Sequence, residues 1–326
     1  LQRDTPTYET VELPETSYTK PAENQTGSFE IVSWDNSERY LIVRYVYDND
    51  QKVEWIVVDR DNPDEARNIT RLLDVPADKV LFASRNGRTL YIKSNNDVRK
   101  VDLVDATLSR PLVSNVADFS VYSEEILTYT TRPNEAGARE VGYYRDGRDL
   151  PQPIRTYDAT MIDPLHIAIG EYYDETYVAI AHGEVVETYK GRLPVPESVS
   201  SLKLVSTMNL TSDVTKLDIR GGGRFVYARH GTEFATYDLE REELHQTTLE
   251  GSSGGTAQIE WLDQFMLWTD NGGQLSFYDF DGMNRQTIVA VEPGFDVTLN
   301  PNGRFVYSVG RDDSGYFLQQ VRLQLP

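Results

Sequence analysis

The chain has 326 residues, 32 basic and 52 acidic, giving a formal net charge of −20, and it has no cysteine. A field of that sign repels phosphate backbones and anionic headgroups, which argues against nucleic acid and direct membrane-surface binding. Without cysteine there are no disulfides, thiolate metal sites or cysteine nucleophiles.

Aromatic residues make up 11% of the chain, and its 22 Gly and 15 Pro are scattered with no linker-like stretch. This composition points to one continuous β-rich domain long enough to bury a core. No apolar run approaches the ~20 residues that span a bilayer. The chain starts at Leu1 without a signal peptide. It reads as a mature product or excised domain, with any anchor or targeting segment upstream.

Residues 1–27 form an N-terminal extension containing "TYETVEL" (7–13), which alternates like a strand. From residue 28 a phrase recurs: a short strand, a tight turn, an alternating strand, a second turn, and a third strand ending in Asp or a charged residue. It runs "SFEIVSW…SERYLIVRYVY…VEWIVVD", then "VLFAS…NGRTLYIKS…VRKVDL", "SEEILTYTT…EVGYYR" and "DETYVAIAHG…VVETYK". It continues as "GGGRFVYARHG…FATYDL", "TAQIEWL…LDQFMLWTDNGG…LSFYDF" and "FDVTLNP…NGRFVYSVG…YFLQQVRLQLP". A spacing of about 40 to 50 residues is that of a four-stranded propeller blade, and helical periodicity is almost absent. The expected fold is all-β: a seven-bladed β-propeller over 28–326 with four-stranded blades. The last unit lacks a fourth strand, so residues 7–13 are expected to pair with "FLQQVRLQL" and close the ring.

Facing residues in an antiparallel hairpin share a constant index sum. On that arithmetic Arg39 faces Asp59, Arg88 faces Asp102 and Arg224 faces Asp238. With the signs exchanged, Glu125 faces Arg145 and Glu175 faces Lys190. Facing opposite charges contribute roughly 0.2–1 kcal/mol each, enough to penalise a register slip. These residues are therefore read as structural cross-strand pairs.

"YDFDGMNRQTI" (278–288) resembles the third-strand signature of TolB-type bacterial propellers, and "NPNGRFVYSVG" (300–310) resembles their first-to-second strand turn. The whole chain is also similar to the propeller regions that accompany PEGA domains in membrane-anchored bacterial surface proteins. These resemblances imply an exported or cell-surface location, and a protein-binding or envelope role more than catalysis.

Signals for chemistry are sparse. "GSSGG" (251–255) fits G-x-S-x-G with Ser253 as nucleophile, but a strand follows where the elbow needs a helix, so a loop is the better reading. His182 and His230 sit in equivalent His-Gly turns of neighbouring blades, and with His166 and His245 they lack zinc spacing. The oxygen-rich loops with Asp59, Asp61, Asp64 and Glu65, and with Asp312 and Asp313, are at most candidates for calcium; no other cofactor is called for. Inner-strand Glu30, Asp118, Asp218, Glu260 and Asp296 are the carboxylates that an axial active site would use, giving the rival reading of a metal-dependent hydrolase or lactonase.

Binding candidates fall on two faces. One carries Asp48, Asp50, His182, His230, Asp312 and Asp313. The other carries Arg85, Arg88, Arg224 and Arg304 beside "GEYYDETY", with Tyr172, Tyr173 and Tyr177 as stacking platforms with polar handles. The expected function is a non-catalytic interaction module of an exported or membrane-anchored bacterial envelope protein, with a protein or glycan of the envelope as partner.

Overall fold

Strands that alternate this regularly bury both faces only when another sheet lies on each side. The computed structural model, which describes residues 2–4, 12–35, 37–48, 51–83, 87–195, 201–220, 222–249, 258–300, 303–313 and 315–323, shows that arrangement. Its strands form seven antiparallel four-stranded sheets, and the chain is an all-β seven-bladed propeller.

Named A to D in chain order, blade one is Ser28–Trp34, Tyr40–Tyr47, Lys52–Asp59 and Arg67–Asn68. Blade two is Lys79–Phe82, Thr89–Ser94, Asp97–Asp102 and Thr107–Leu108, and blade three is Val116–Val121, Ile126–Thr131, Arg139–Arg145 and Gln152–Tyr157. Blade four is Leu165–Tyr172, Glu175–His182, Val185–Lys190 and Lys203–Asn209. Blade five is Lys216–Arg220, Phe225–His230, Glu233–Asp238 and Glu243–Thr248, and blade six is Ile259–Trp261, Met266–Thr269, Gln274–Asp279 and Gln286–Ala290. Blade seven takes A to C from Thr298–Leu299, Phe305–Asp312 and Gly315–Arg322.

Its fourth strand is Gln2–Asp4, antiparallel to strand C with Arg3 opposite Val321. The chain start therefore completes the last blade, but not through the segment expected. Residues 5–11 lie outside the described residues, and Glu12, Leu13 and Pro14 belong to no strand. An edge strand of three residues is held by backbone hydrogen bonds and carries no periodicity for a pattern to reveal.

The chain divides into two compact units, residues 9–162 with blades one to three and residues 1–8 plus 163–326 with blades four to seven. In the first, Ile42, Trp55 and Val57 of blade one interdigitate with Val80, Leu90 and Val101 of blade two. Tyr91 and Val98 then meet Phe119, Leu127 and Tyr129 of blade three. In the second, blade five shows how one ribbon serves two interfaces. Val226, Ala228 and Ala235 pack with Ala179, Ala181 and Val186 of blade four, while Tyr227 and Phe234 pack with Ile259, Leu267 and Tyr278 of blade six. The period of two sends small residues to one neighbour and aromatic ones to the other.

The register corrects the expected charge pairs. Phe225, not Arg224, faces Asp238; Tyr40 faces Asp59; and Thr89 faces Asp102. Ile126 faces Arg145, and Tyr177 faces Lys190. The offset has a local cause, because the aspartate ends strand C by folding into the next turn. Asp238 Oδ1 accepts the Glu240 and Arg241 N–H groups at 2.9 and 3.3 Å. Asp102 Oδ1 accepts those of Val104 and Asp105 at 2.8 and 3.2 Å. The arginine, one residue ahead of strand B, then reaches the carboxylate diagonally. Closest approaches are 2.6 Å for Arg39 and Asp59, 3.3 Å for Arg88 and Asp102, and 2.5 Å for Arg224 and Asp238. Glu125 lies 3.5 Å from Arg145 and Glu175 3.7 Å from Lys190. Each aspartate of the Arg–Asp clasps thus makes a turn and receives an arginine; it is not one of two facing charges.

Candidate functional site

The A–B and C–D turns of one blade lie at the same end of its strands. In blades four, five and six that end carries Tyr172, Tyr173, Phe265 and Phe280. Strands A and B of blade four pair up to Tyr172 opposite Glu175, leaving a turn of Tyr173 and Asp174 at φ 47° and 60°. Two left-handed residues match the twist of a tight hairpin, and Asn-Gly is the preferred occupant. An aromatic side chain in that conformation costs roughly 1–2 kcal/mol. The turn nonetheless holds Tyr173 with its residue surface 76% exposed. The Tyr172 ring lies 4.4 Å from the Tyr173 ring at 55°. Desolvation of Tyr172, with hydrogen bonds to Tyr173 and Glu240, pushes its phenol up to about 12.

Blade five meets this hairpin through Gly223 and Arg224. Gly223 has φ +91°, and a Cβ there would sit 1.8 Å from the Glu171 carbonyl oxygen, so only glycine lets the two backbones approach. Arg224 Nε and Nη2 donate to the two Asp238 carboxylate oxygens at 2.9 and 2.5 Å, and Nη1 forms an ion pair with Glu240. Its guanidinium also lies 5.2 Å from the Phe225 ring and 5.9 Å from that of Phe265 in blade six, within cation–π range. Asp238 is fully buried. Burial alone would push its carboxyl up, but Arg224 and the Glu240 and Arg241 N–H groups outweigh that and hold it below the ordinary carboxylate range.

From Arg224 the ring contacts continue into blade six. Phe225 stacks on Phe280 at 4.4 Å and Trp261 at 5.7 Å and takes the edge of Phe265 at 6.0 Å. Phe265 is 47% exposed. Aromatic side chains thus lie along three blades, with Tyr172 linked to the Phe225 cluster through Glu240 and Arg224, Tyr173 and Phe265 open to solvent, and Arg224 clamped by two carboxylates.

The other candidates are dispersed. Tyr177 is 6% exposed and packs into the core between blades four and five, against which Tyr172 is partly buried, so only Tyr173 of the three is open to solvent. Asp48 accepts from Gln25 at 2.5 Å and lies 2.9 Å from Lys52 Nζ, and these contacts hold its carboxyl below the ordinary value. Asp50, Arg85 and Ser253 lie outside the described residues. His182 approaches Glu187 at 3.5 Å, and His230 Nδ1 donates to the Asp213 carbonyl at 2.6 Å. Asp312 and Asp313 are exposed at the B–C turn of blade seven.

Four of the inner-strand carboxylates have a cation beside them. Glu30 lies 3.0 Å from Arg44, Asp118 2.8 Å from Lys79 and Asp218 2.6 Å from Arg220. Glu260 accepts Lys216 Nζ at 2.6 Å. Among the described residues no three Asp, Glu or His side chains converge as metal ligands would. A cleft between blades one and two, lined by Tyr40, Asp59, Arg67 and Arg88, holds only about 130 Å³, below the several hundred of ordinary small-molecule sites.

The sequence reading missed Glu240, Phe265 and Phe280. Glu240 follows the strand-ending Asp238 by two residues, a spacing that would have placed it at the rim. Phe265 and Phe280 come from the turns of a different blade, and the meeting of the first with Arg224 and of the second with Phe225 is a tertiary fact.

No protein-family model matches the chain, and no curated protein sequence matches it. Solved structures do resemble it. An oligogalacturonate lyase in complex with manganese aligns with TM-score 0.59 and 11% identity over 92% of this chain and 91% of that one. An oligogalacturonate lyase from Vibrio parahaemolyticus aligns with TM-score 0.56 and 11% identity over 89% and 88%. Kluyveromyces lactis Hsv2 aligns with TM-score 0.52 and 13% identity over 92% and 100%. At such identities these likenesses concern the fold.

Proposed function

We propose that the chain is a non-catalytic interaction module of an exported or membrane-anchored bacterial envelope protein. Its partner, a protein or glycan, docks on the rim carrying Tyr172, Tyr173 and Phe265. The observation that carries this reading is Tyr173, a left-handed residue 76% exposed. A turn under no demand but closure would use Asn or Gly there, so presenting the ring has a use that offsets its strain. Exposed aromatics beside polar groups suit protein and sugar surfaces alike. The TolB-like kinship rests on the resemblance of residues 278–288 and 300–310, and the PEGA-associated kinship with its envelope assignment on the likeness of the whole chain.

The test is capture from solubilised bacterial envelopes, paired with binding to an array of neutral and acidic glycans, using wild type and a Tyr172→Ala/Tyr173→Ala variant. A partner held by wild type and released by the folded variant supports the reading. Equal behaviour of the two proteins refutes it.

A metal-dependent enzyme is the second reading, favoured by the fold shared with the two oligogalacturonate lyases. The described residues offer no manganese ligand set, and the cations beside Glu30, Asp118, Asp218 and Glu260 support a structural role for these carboxylates. Turnover of oligogalacturonate that rises with added manganese would establish the enzyme instead.

A further inference from the structure

We infer that the occupant of this rim is a lysine- or arginine-rich segment of a protein partner, with one cationic side chain seated on the exposed face of Tyr173. The inference rests on the reading of Tyr172, Tyr173 and Phe265 as a docking surface and names its ligand class. Charge decides the class. Glu171, Asp174, Glu240 and Glu242 are all exposed around the tyrosine turn and the neighbouring C–D turn of blade five.

The cations closest to them are already engaged. Arg224 is neutralised twice over by Asp238 and Glu240, Arg220 lies 2.6 Å from Asp218, and Lys190 lies 3.7 Å from Glu175 and 5.7 Å from the Tyr177 ring. Arg192, Lys203 and Arg241 are the other exposed cations at this end of blades four and five. A whole-chain charge of −20 adds to the local field, steering cationic partners in and repelling acidic ones.

The chemistry on offer is an electron-rich ring face with carboxylates at its edge, which suits an ammonium or guanidinium on an apolar stem. A neutral glycan would pair its hydroxyls with the carboxylates but would draw nothing from their net charge, whereas a cation uses both the ring face and the field. Arg224 already lies within 5.2 Å and 5.9 Å of the Phe225 and Phe265 rings. The Phe225 cluster thus holds one cation of its own and leaves Tyr173 for a second.

Three fluorescently labelled or titrated probes distinguish the possibilities: an oligolysine–glycine peptide, its oligoglutamate counterpart, and a neutral β-linked hexose oligomer. Two variants accompany wild type: Tyr173→Asn, which suits the left-handed turn, and Asp174→Asn/Glu242→Gln, which removes charge without shortening side chains. The expected result is binding of the lysine peptide only, weakening with salt. Tyr173→Asn should weaken it about threefold to fivefold and the charge variant about fivefold at low ionic strength.

Absence of lysine-peptide binding, or binding indifferent to both variants, overturns the inference. If the hexose oligomer binds instead and depends on Tyr173, the ligand class is wrong and the docking surface stands. If no probe binds but wild type self-associates in sedimentation and Tyr173→Asn abolishes that, the occupant is a second copy, which also overturns it.

Discussion

Arg224 and Asp238 are joined by two hydrogen bonds of 2.9 and 2.5 Å although they do not face each other in the sheet. The Asp238 side chain is wholly buried and that of Arg224 is 16% exposed, whereas Arg39 and Arg88 make the equivalent contacts with side chains 46% and 49% exposed. The same motif therefore has different energetic weight in different blades. Arg224→Ala strands a buried carboxylate that keeps only its turn N–H partners and is expected to cost about 3 kcal/mol. Arg88→Ala, whose partner Asp102 has a side chain 30% exposed, is expected to cost least, with Arg39→Ala, which uncovers a carboxylate 10% exposed, between the two. Urea unfolding of the three variants checks the order, and equal losses would mean that the clasp acts only through the turn.

The adjacent glycines separate backbone conformation from close approach. Gly222 and Gly223 both have positive φ, +66° and +91°, but a Cβ on Gly222 meets nothing within 4 Å while one on Gly223 meets the Glu171 carbonyl at 1.8 Å. Gly222→Ala should cost about 1 kcal/mol for the left-handed residue alone. Gly223→Ala adds a backbone clash and should cost at least about 2 kcal/mol more, while pushing the Tyr172 and Tyr173 hairpin away from Arg224. Thermal unfolding gives the first difference, and near-ultraviolet circular dichroism of the tyrosines reports the second.

The blades were legible because two buried faces and tight turns leave a period-two pattern, as in Phe225–His230, that needs no tertiary information. The register slipped by one because strand-ending Asp59, Asp102 and Asp238 act in turns, and a charge count cannot distinguish a turn aspartate from a facing one. In sequence Tyr173 is one of three tyrosines that read as stacking platforms. Tyr177, four residues on, looked equivalent there; only its core contacts with blade five separate the two.

Acid should destabilise the protein in a defined window. Buried Glu54 and Glu233 would be pushed up by desolvation. The Thr19, Asn68 and Arg71 contacts of the first, and the Thr211 and Gln246 contacts of the second, outweigh burial and hold both below the ordinary value, as with Asp238. A depressed folded pKa means that the unfolded chain binds more protons between the two values, so stability rises with pH there. The contribution is complete above the unfolded values of about 4 and is lost as pH falls through the lower folded values. Urea midpoints should carry no loss from these groups between about pH 7 and pH 5 and fall steeply below about pH 4. In Glu54→Gln and Glu233→Gln the acid slope should be shallower.

The closing strand is short enough to remove cleanly. Gln2–Asp4 pairs at three positions with strand C of blade seven, and without it the edge of Gly315–Arg322 is open to other chains. Deleting residues 1–4 should cost about 2 kcal/mol from the lost backbone bonds and produce concentration-dependent association. Light scattering across a dilution series measures the association. A truncated protein that stays monomeric and unfolds at the wild-type temperature would show that blade seven is held by its face contacts, such as Val306 against Trp268 and Leu275, and not by closure.

Tyr173 should behave as a residue kept at the expense of stability. Tyr173→Asn or Tyr173→Gly relieves an aromatic residue at φ 47° and removes the ring of a residue that is 76% exposed. The gain expected from the backbone is about 0.5–1 kcal/mol, partly offset by the lost contact with Tyr172. Calorimetry should therefore show an unchanged or raised unfolding temperature in the same variants that lose ligand. A clear fall would mean that the ring supports the hairpin through Tyr172 and Glu240, and the strain at this turn would then have a structural explanation in place of a functional one.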